Sequence, residues 1–260
     1  MTQSKDVAGS SEKRREARPK SEAGETGAIE RDRAGAAAPA PLADLAPPPD
    51  RVASELPHSD PLAEAADLAR GGDLQEAAAA YRTYLTRHPE DVPARRGLAA
   101  VLEQKGDFIG ALGELGRAID AQPDDVSLLC DRAAVQMALQ RYDQAEADLR
   151  RASKIDTDSA DVLFNFGMLF CKKARWREAI EPLQRAVELD ASNSQGHYYL
   201  GEAYNQTDQL KLALASYEEA VKLQPTNVRA LKGVGVVLDK LGRPAEATAA
   251  YQRARDAQRR

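Results

Sequence analysis

Three histidines, two cysteines and one glycine-rich run are where chemistry would have to begin in this chain. His58, His88 and His197 are the imidazoles open to metal ligation or proton transfer, and no two stand at a ligand spacing. Cys130 and Cys171 are too few for a disulfide framework or a four-thiolate zinc site. They read as small apolar residues in a reducing compartment. The run GVGVVL (233–238) has two glycines of a dinucleotide fingerprint but lacks the third glycine and the preceding strand. Helix packing is the better account of it. Asn205-Gln206-Thr207 is a glycosylation sequon, idle without a secretory signal. Carboxylates are numerous and scattered, as on solvated faces. The expectation is a protein that is not an enzyme, with no metal and no cofactor.

The elements that would position any side chain show themselves as a repeat. ALASYEEAVKLQPTN (213–227) restates AIEPLQRAVELDASN (179–193) one period later, and a period of that size marks a stacked array. A shift of 34 puts Ala77, Ala111, Ala145, Ala179, Ala213 and Ala247 in one column. Tyr81, Leu115, Leu149, Leu183, Tyr217 and Tyr251 form a second, and Ala65, Ala99, Ala133, Gly167, Gly201 and Gly235 a third. Small residues recurring this way allow two helices to cross closely. Apolar residues at intervals of three and four predict two helices per unit. In one unit these are ARRGLAAVLEQK (94–105) and FIGALGELGRAIDA (108–121). Gly72, Gly106 and Gly242 mark the break within units, and Pro89, Pro123 and Pro225 the break between them. Thr157 and Ala191 stand where other units carry proline, and Gln136 replaces an apolar residue. Asp60-Pro61 reads as a helix cap followed by proline at the first helical position.

Six units follow, at 58–91, 92–125, 126–159, 160–193, 194–227 and 228–260. With Leu200-Gly201, Tyr204, Ala213, Tyr217, Ala220 and Pro225 in one unit, the pattern resembles the tetratricopeptide repeat. That resemblance implies an all-α, right-handed solenoid of helical hairpins. It also implies that the first helices of the units line a concave face binding an extended peptide or a partner helix. Residues 1–57 are different. They hold seven of the fourteen prolines and no aromatic residue, so they are expected to form a disordered arm. Their basic cluster EKRREARPK (12–20) reads as part of a solvated spacer. PLADL (41–45) is the apolar piece that would reach the groove if the arm folded back.

Helical phase places a distinct set on the inner face. The third unit offers Cys130, Asp131, Ala134 and Met137, and the fourth Asp161, Phe164, Asn165, Met168, Cys171 and Lys172. The fifth offers Gln195, Tyr198, Tyr199, Glu202, Asn205 and Gln206, and the sixth Arg229, Lys232, Asp239 and Lys240. Phe164, Met168, Tyr198 and Tyr199 are the expected anchors, on a face that packing does not need. Asn165, Asn205 and Gln206 would bond a peptide backbone, and Met137 would add to the apolar surface. Arg229 and Lys232 suit an acidic side chain or a carboxylate end. The clamp by which some members of the family hold chaperone C-termini is not matched: of its positions only Asn165 fits.

The partner is expected to be a protein or peptide. A formal net charge of −5 argues against a general grip on nucleic acid, and no run of eighteen apolar residues predicts a membrane span. With no apolar signal block near the start, the expected location is the cytoplasm. The reading is a non-catalytic scaffold or adaptor. Its alternatives are a self-assembling homo-oligomeric scaffold and a chaperone for a secretion substrate.

Overall fold

The computed structural model describes residues 60–259. The arm expected over 1–57, its basic cluster and PLADL lie outside the described residues. Within them the chain forms twelve helices and no strand. These are α1 (Pro61–Gly71), α2 (Leu74–Arg87), α3 (Val92–Gln104), α4 (Phe108–Ala121), α5 (Val126–Ala138) and α6 (Tyr142–Ile155). They continue as α7 (Ala160–Lys172), α8 (Trp176–Leu189), α9 (Ser194–Gln206), α10 (Leu210–Leu223), α11 (Val228–Lys240) and α12 (Pro244–Gln258).

Short polar side chains start the odd-numbered helices. Asp91, Asp125, Ser159, Asn193 and Asn227, equivalent positions of successive units, accept from the backbone N–H three residues on, at 2.8 to 3.5 Å. Each satisfies a donor that the first helical turn leaves open. Asp60 plays the same part for α1 through the N–H of Leu62, with Pro61 at the first helical position. The cap also explains why α3 begins at Val92, two residues before the sequence reading placed it. Pro93 falls in the first turn, where its missing N–H would have had no partner anyway.

Within each hairpin the first helix ends in the same backbone lock. The N–H groups of Asp73, Asp107, Arg141, Arg175, Gln209 and Arg243 reach back five residues to carbonyls at 2.8 to 3.0 Å. This geometry needs a left-handed residue just before the donor. Gly72, Gly106 and Gly242 supply it without strain, whereas Gln140, Ala174 and Asp208 hold φ of 59°, 56° and 58°. Proline is not needed at the other break. α6 and α8 stop at Ile155 and Leu189 although Thr157 and Ala191 follow, because Asp156 and Asp190 turn out of the helix there.

Packing follows the columns. Every helix packs on the next, and α7 also touches α5 and α9, while α9 touches α11. The alanine column from Ala77 to Ala247 is buried throughout, and Leu115, Leu149, Leu183 and Tyr217 fill the space one turn on. The small column is enforced by those neighbours. A Cβ on Gly167 would stand 2.2 Å from Leu183 Cγ, and one on Gly201 2.7 Å from Tyr217 Cδ1. Burying these faces against the next hairpin is what holds the array together, since one hairpin cannot cover its own apolar surface. The core forms two clusters that meet at α7. Phe166 and Met168 pack into the first, Phe164 and Phe170 into the second.

Two polar features interrupt this apolar scheme at α5. Arg132 meets the buried Asp148 through two hydrogen bonds of 2.7 Å each. Gln136 is buried, and its Oε1 has no partner among the described residues. No helix among the described residues is long and apolar enough to cross a membrane.

Candidate functional site

The odd-numbered helices bring one position of each unit to the same face. Equivalent positions of successive units repeat the same outlook, so α3, α5, α7 and α9 together enclose a cavity of about 540 Å³. Its apolar floor is Cys130, Ala134, Met137, Phe164 and Met168. Its polar edge carries Arg96 and Glu103 from α3, Asp131 from α5, Asp161 and Lys172 from α7, and Gln195 and Tyr199 from α9. A second depression of about 330 Å³ follows, lined by Gln195, Tyr198, Tyr199 and Arg229. Tyr199 and Gln195 belong to both, and form the partition between them.

Aromatic rings tie this face to the core. Tyr217 lies buried between α9 and α10, with its ring centroid 5.9 Å from that of Tyr198. Tyr198 meets Tyr199 edge-on at 5.2 Å, and Tyr199 leans on Phe164 at 6.1 Å. Each contact is in the range where aromatic pairs attract beyond their area. Contrary to the expectation of a face that packing does not need, Phe164, Tyr198 and Tyr199 are half-buried and brace one another. Burial raises the phenols of Tyr198 and Tyr199, Glu202 pushes in the same direction, and the Arg229 guanidinium opposes it. Both tyrosines therefore present neutral hydroxyls.

Other expected residues are placed differently. Met137 and Asn165 are buried and offer only an edge to the cavity. The Asn165 amide donates to the Asp161 carbonyl at 2.8 Å, leaving its carbonyl oxygen for a ligand. Asn205 accepts from the Lys240 ammonium at 2.8 Å, so it is engaged across α9 and α11. Gln206 does not join the cavity. It lines a shallow depression at the hairpin turns with Arg175, Trp176 and Thr207, because it ends α9 and leans away from the layer's middle. Lys232 is exposed on α11 and lines neither hollow.

Arg96 and Glu103 are the site residues the sequence reading missed. The signal was available: stepping back one repeat from Cys130 and Met137 lands on them. Arg96 meets Asp131 at 2.6 Å across α3 and α5, and this partner raises its pKa. Desolvation raises the Glu103 carboxyl, and Asp131 adds to the effect. Burial pushes the Cys130 thiol up to about 12, with Asp161 and Asp131 adding to it. Glu103, Asp131 and Asp161 thus line the cavity as carboxylates, with Arg96 and Lys172 as its cations. Such a site has shape, aromatic surface and charge, which are the means of recognition. Among the described residues no group of three or more His, Cys, Asp or Glu side chains could hold a metal ion.

The sequence pattern of the tetratricopeptide repeat family matches residues 62–126, 164–228 and 208–259. The chain belongs to that family. No curated protein matches it in sequence. Among solved structures, MamA is 25% identical with a TM-score of 0.52, over 62% of this chain and 95% of MamA. A tetratricopeptide repeat protein from Parabacteroides merdae has a TM-score of 0.64 at 16% identity, over 76% of this chain and 77% of its own. YrrB, described as a tetratricopeptide repeat protein with an unusual peptide-binding site, has a TM-score of 0.50 at 20% identity, over 70% and 93%. The last two likenesses are of fold alone.

Proposed function

We propose that this tetratricopeptide repeat protein is a non-catalytic interaction scaffold that holds a protein segment on the face of its odd-numbered helices. The observation that carries this is the aromatic ladder Tyr217–Tyr198–Tyr199–Phe164, which rises from the core into two adjoining hollows. Large half-buried rings beside open volume are what anchor a partner's side chains. A cavity of this size is in the range that takes ligand groups.

Two hollows separated by a partition favour an extended segment over a helix, because alternate side chains of a strand drop into successive pockets. The preformed rings lose little conformational freedom on capture. Phe164, Met168, Tyr198 and Tyr199 make the apolar contacts, with Met137 beneath them. The Asn165 oxygen bonds the segment's backbone, and Arg229 meets acidic groups. The protein works in the cytoplasm and has no cofactor.

Self-assembly by end-to-end stacking gains no support. Thr248 and Arg255 are exposed on α12 where the equivalent Leu214 and Val221 of α10 are buried. The test is affinity capture with the wild type and with the double variant Phe164→Glu/Tyr198→Glu, followed by calorimetry on peptides from whatever is captured. Partners should be lost with the variant, and an identical set from both proteins would overturn the proposal.

A further inference from the structure

We infer that the segment held on this face is bipolar, with a basic side chain over α7 and an acidic one over α11. The inference deepens the scaffold reading and rests on it.

One register position carries the argument. Asp161, Gln195 and Arg229 occupy one column of the repeat, at the first turns of α7, α9 and α11. All three line the hollows, so along a single edge the charge runs from negative through neutral to positive within two repeats. Among the described residues Asp161 and Arg229 form no ion pair, and neither does Lys232, one turn beyond Arg229.

The other charges nearby sharpen the contrast. Asp131 is matched to Arg96 at 2.6 Å, and Glu103, near the end of α3, stands one register position from Lys172, away from the edge that carries Asp161. On α11, Lys240 donates to Asn205 at 2.8 Å, and Asp239 accepts from the Tyr251 hydroxyl at 2.8 Å. Arg229 remains to face a ligand in the second hollow. Lys172 lies in the last turn of α7, at the opposite edge of the cavity from Asp161, and Glu202 sits beside Tyr198 between the poles.

The spacing follows from the packing. Neighbouring helices in contact lie roughly 8–10 Å apart, so α7 and α11, which both touch α9, place Asp161 and Arg229 about 20 Å apart. An extended chain advances about 3.3 Å per residue. The basic and acidic side chains of the ligand therefore stand about six residues apart, with apolar residues between them at Phe164, Tyr199 and Tyr198. Opposed unpaired charges of this kind select the partner and its direction more than they add affinity.

The experiment is a selection of displayed random dodecapeptides on the full chain. Enriched peptides should carry a Lys or Arg about six residues from an Asp or Glu, with apolar residues in the interval. For a selected peptide, Asp161→Arg should weaken binding at least tenfold. The exchange Asp161→Arg/Arg229→Asp should restore binding for the peptide with its two charges exchanged. Both positions are exposed, and circular dichroism with a thermal midpoint verifies that each variant folds. Enriched peptides without the charge pair, or affinities indifferent to the exchange, would overturn the bipolar reading alone. Peptides that bind the Phe164→Glu/Tyr198→Glu variant equally well, or no enrichment at all, would overturn the scaffold reading beneath it.

Discussion

Replacing Asp148 by Ala removes the partner of Arg132 in the middle of the array, and the structure sets the size of the effect. The guanidinium donates two hydrogen bonds of 2.7 Å to the carboxylate, with side chains 24% and 10% exposed. Breaking a fully buried pair costs roughly 3–5 kcal/mol, because the surviving charge is left without compensation. A quarter of Arg132 reaches water, so Asp148→Ala should cost about 2 kcal/mol. Arg132→Leu leaves the more enclosed carboxylate alone and should cost at least as much. The double variant behaves differently. Val234 and Ala250 occupy these two positions together in the last hairpin, and both are buried. An apolar pair therefore already fits this geometry, and Arg132→Leu/Asp148→Ala should lie within about 1 kcal/mol of wild type. The cycle then gives a coupling of about 3 kcal/mol between the two side chains. Urea denaturation followed by circular dichroism, with the four proteins compared at equal slope, measures it. A double variant as unstable as the singles, or an Asp148→Ala protein within about 0.5 kcal/mol of wild type, would refute the reasoning.

Other perturbations follow from single positions. Ala174 sits at φ 56° where three equivalent turns have glycine, so Ala174→Gly should raise stability by about 0.5–1 kcal/mol in the same assay. Gln136→Leu removes a buried unpartnered oxygen from a column that holds Leu102 and Leu238, and a gain of about 1–2 kcal/mol is expected. Burial pushes the thiols of Cys130 and Cys171 up to about 12, so a disulfide reagent at mildly alkaline pH should label the folded chain slowly and the denatured chain at once. One fast equivalent from the native protein would contradict the cavity floor as described. The Lys173 ammonium bonds Glu146 at 3.0 Å and holds its carboxyl below the usual range. A lowered native pKa stabilises above the unfolded value, and that contribution disappears as pH falls through the native one. Acid should therefore weaken the wild type more steeply than Glu146→Gln between those two values, as read from thermal midpoints.

Much of the molecule was legible from spacing alone, and the reason is the constant register of the repeat. Each column describes one physical neighbourhood repeated along the array. Ala77 and its equivalents could thus be assigned to close crossings, and Phe164 and Tyr198 to one face, before any coordinates. The same register pointed to Arg96 and Glu103, which were missed because the inner face was read only from the third unit onward. Departures at single positions were not read. That α6 and α8 stop without a following proline depends on Asp156 and Asp190, whose carboxylates accept from the N–H groups of Asp158 and Ser192 at 3.1 and 3.0 Å, a turn signal that the search for proline passed over.

The chain's order of residues determined the helices, their pairing and the side of each that is buried, since these depend on contacts between neighbours close in sequence. Only the tertiary structure decided how the exposed edges of four separate helices close around a shared hollow. Whether a side chain there opens to solvent depends on neighbours a whole repeat away along the chain. Asn165 is tied back to its own helix and Asn205 to Lys240, whereas Asp161 and Arg229 stay open. Helical phase fixes a direction for each side chain, and the packing of the next hairpin fixes what waits there.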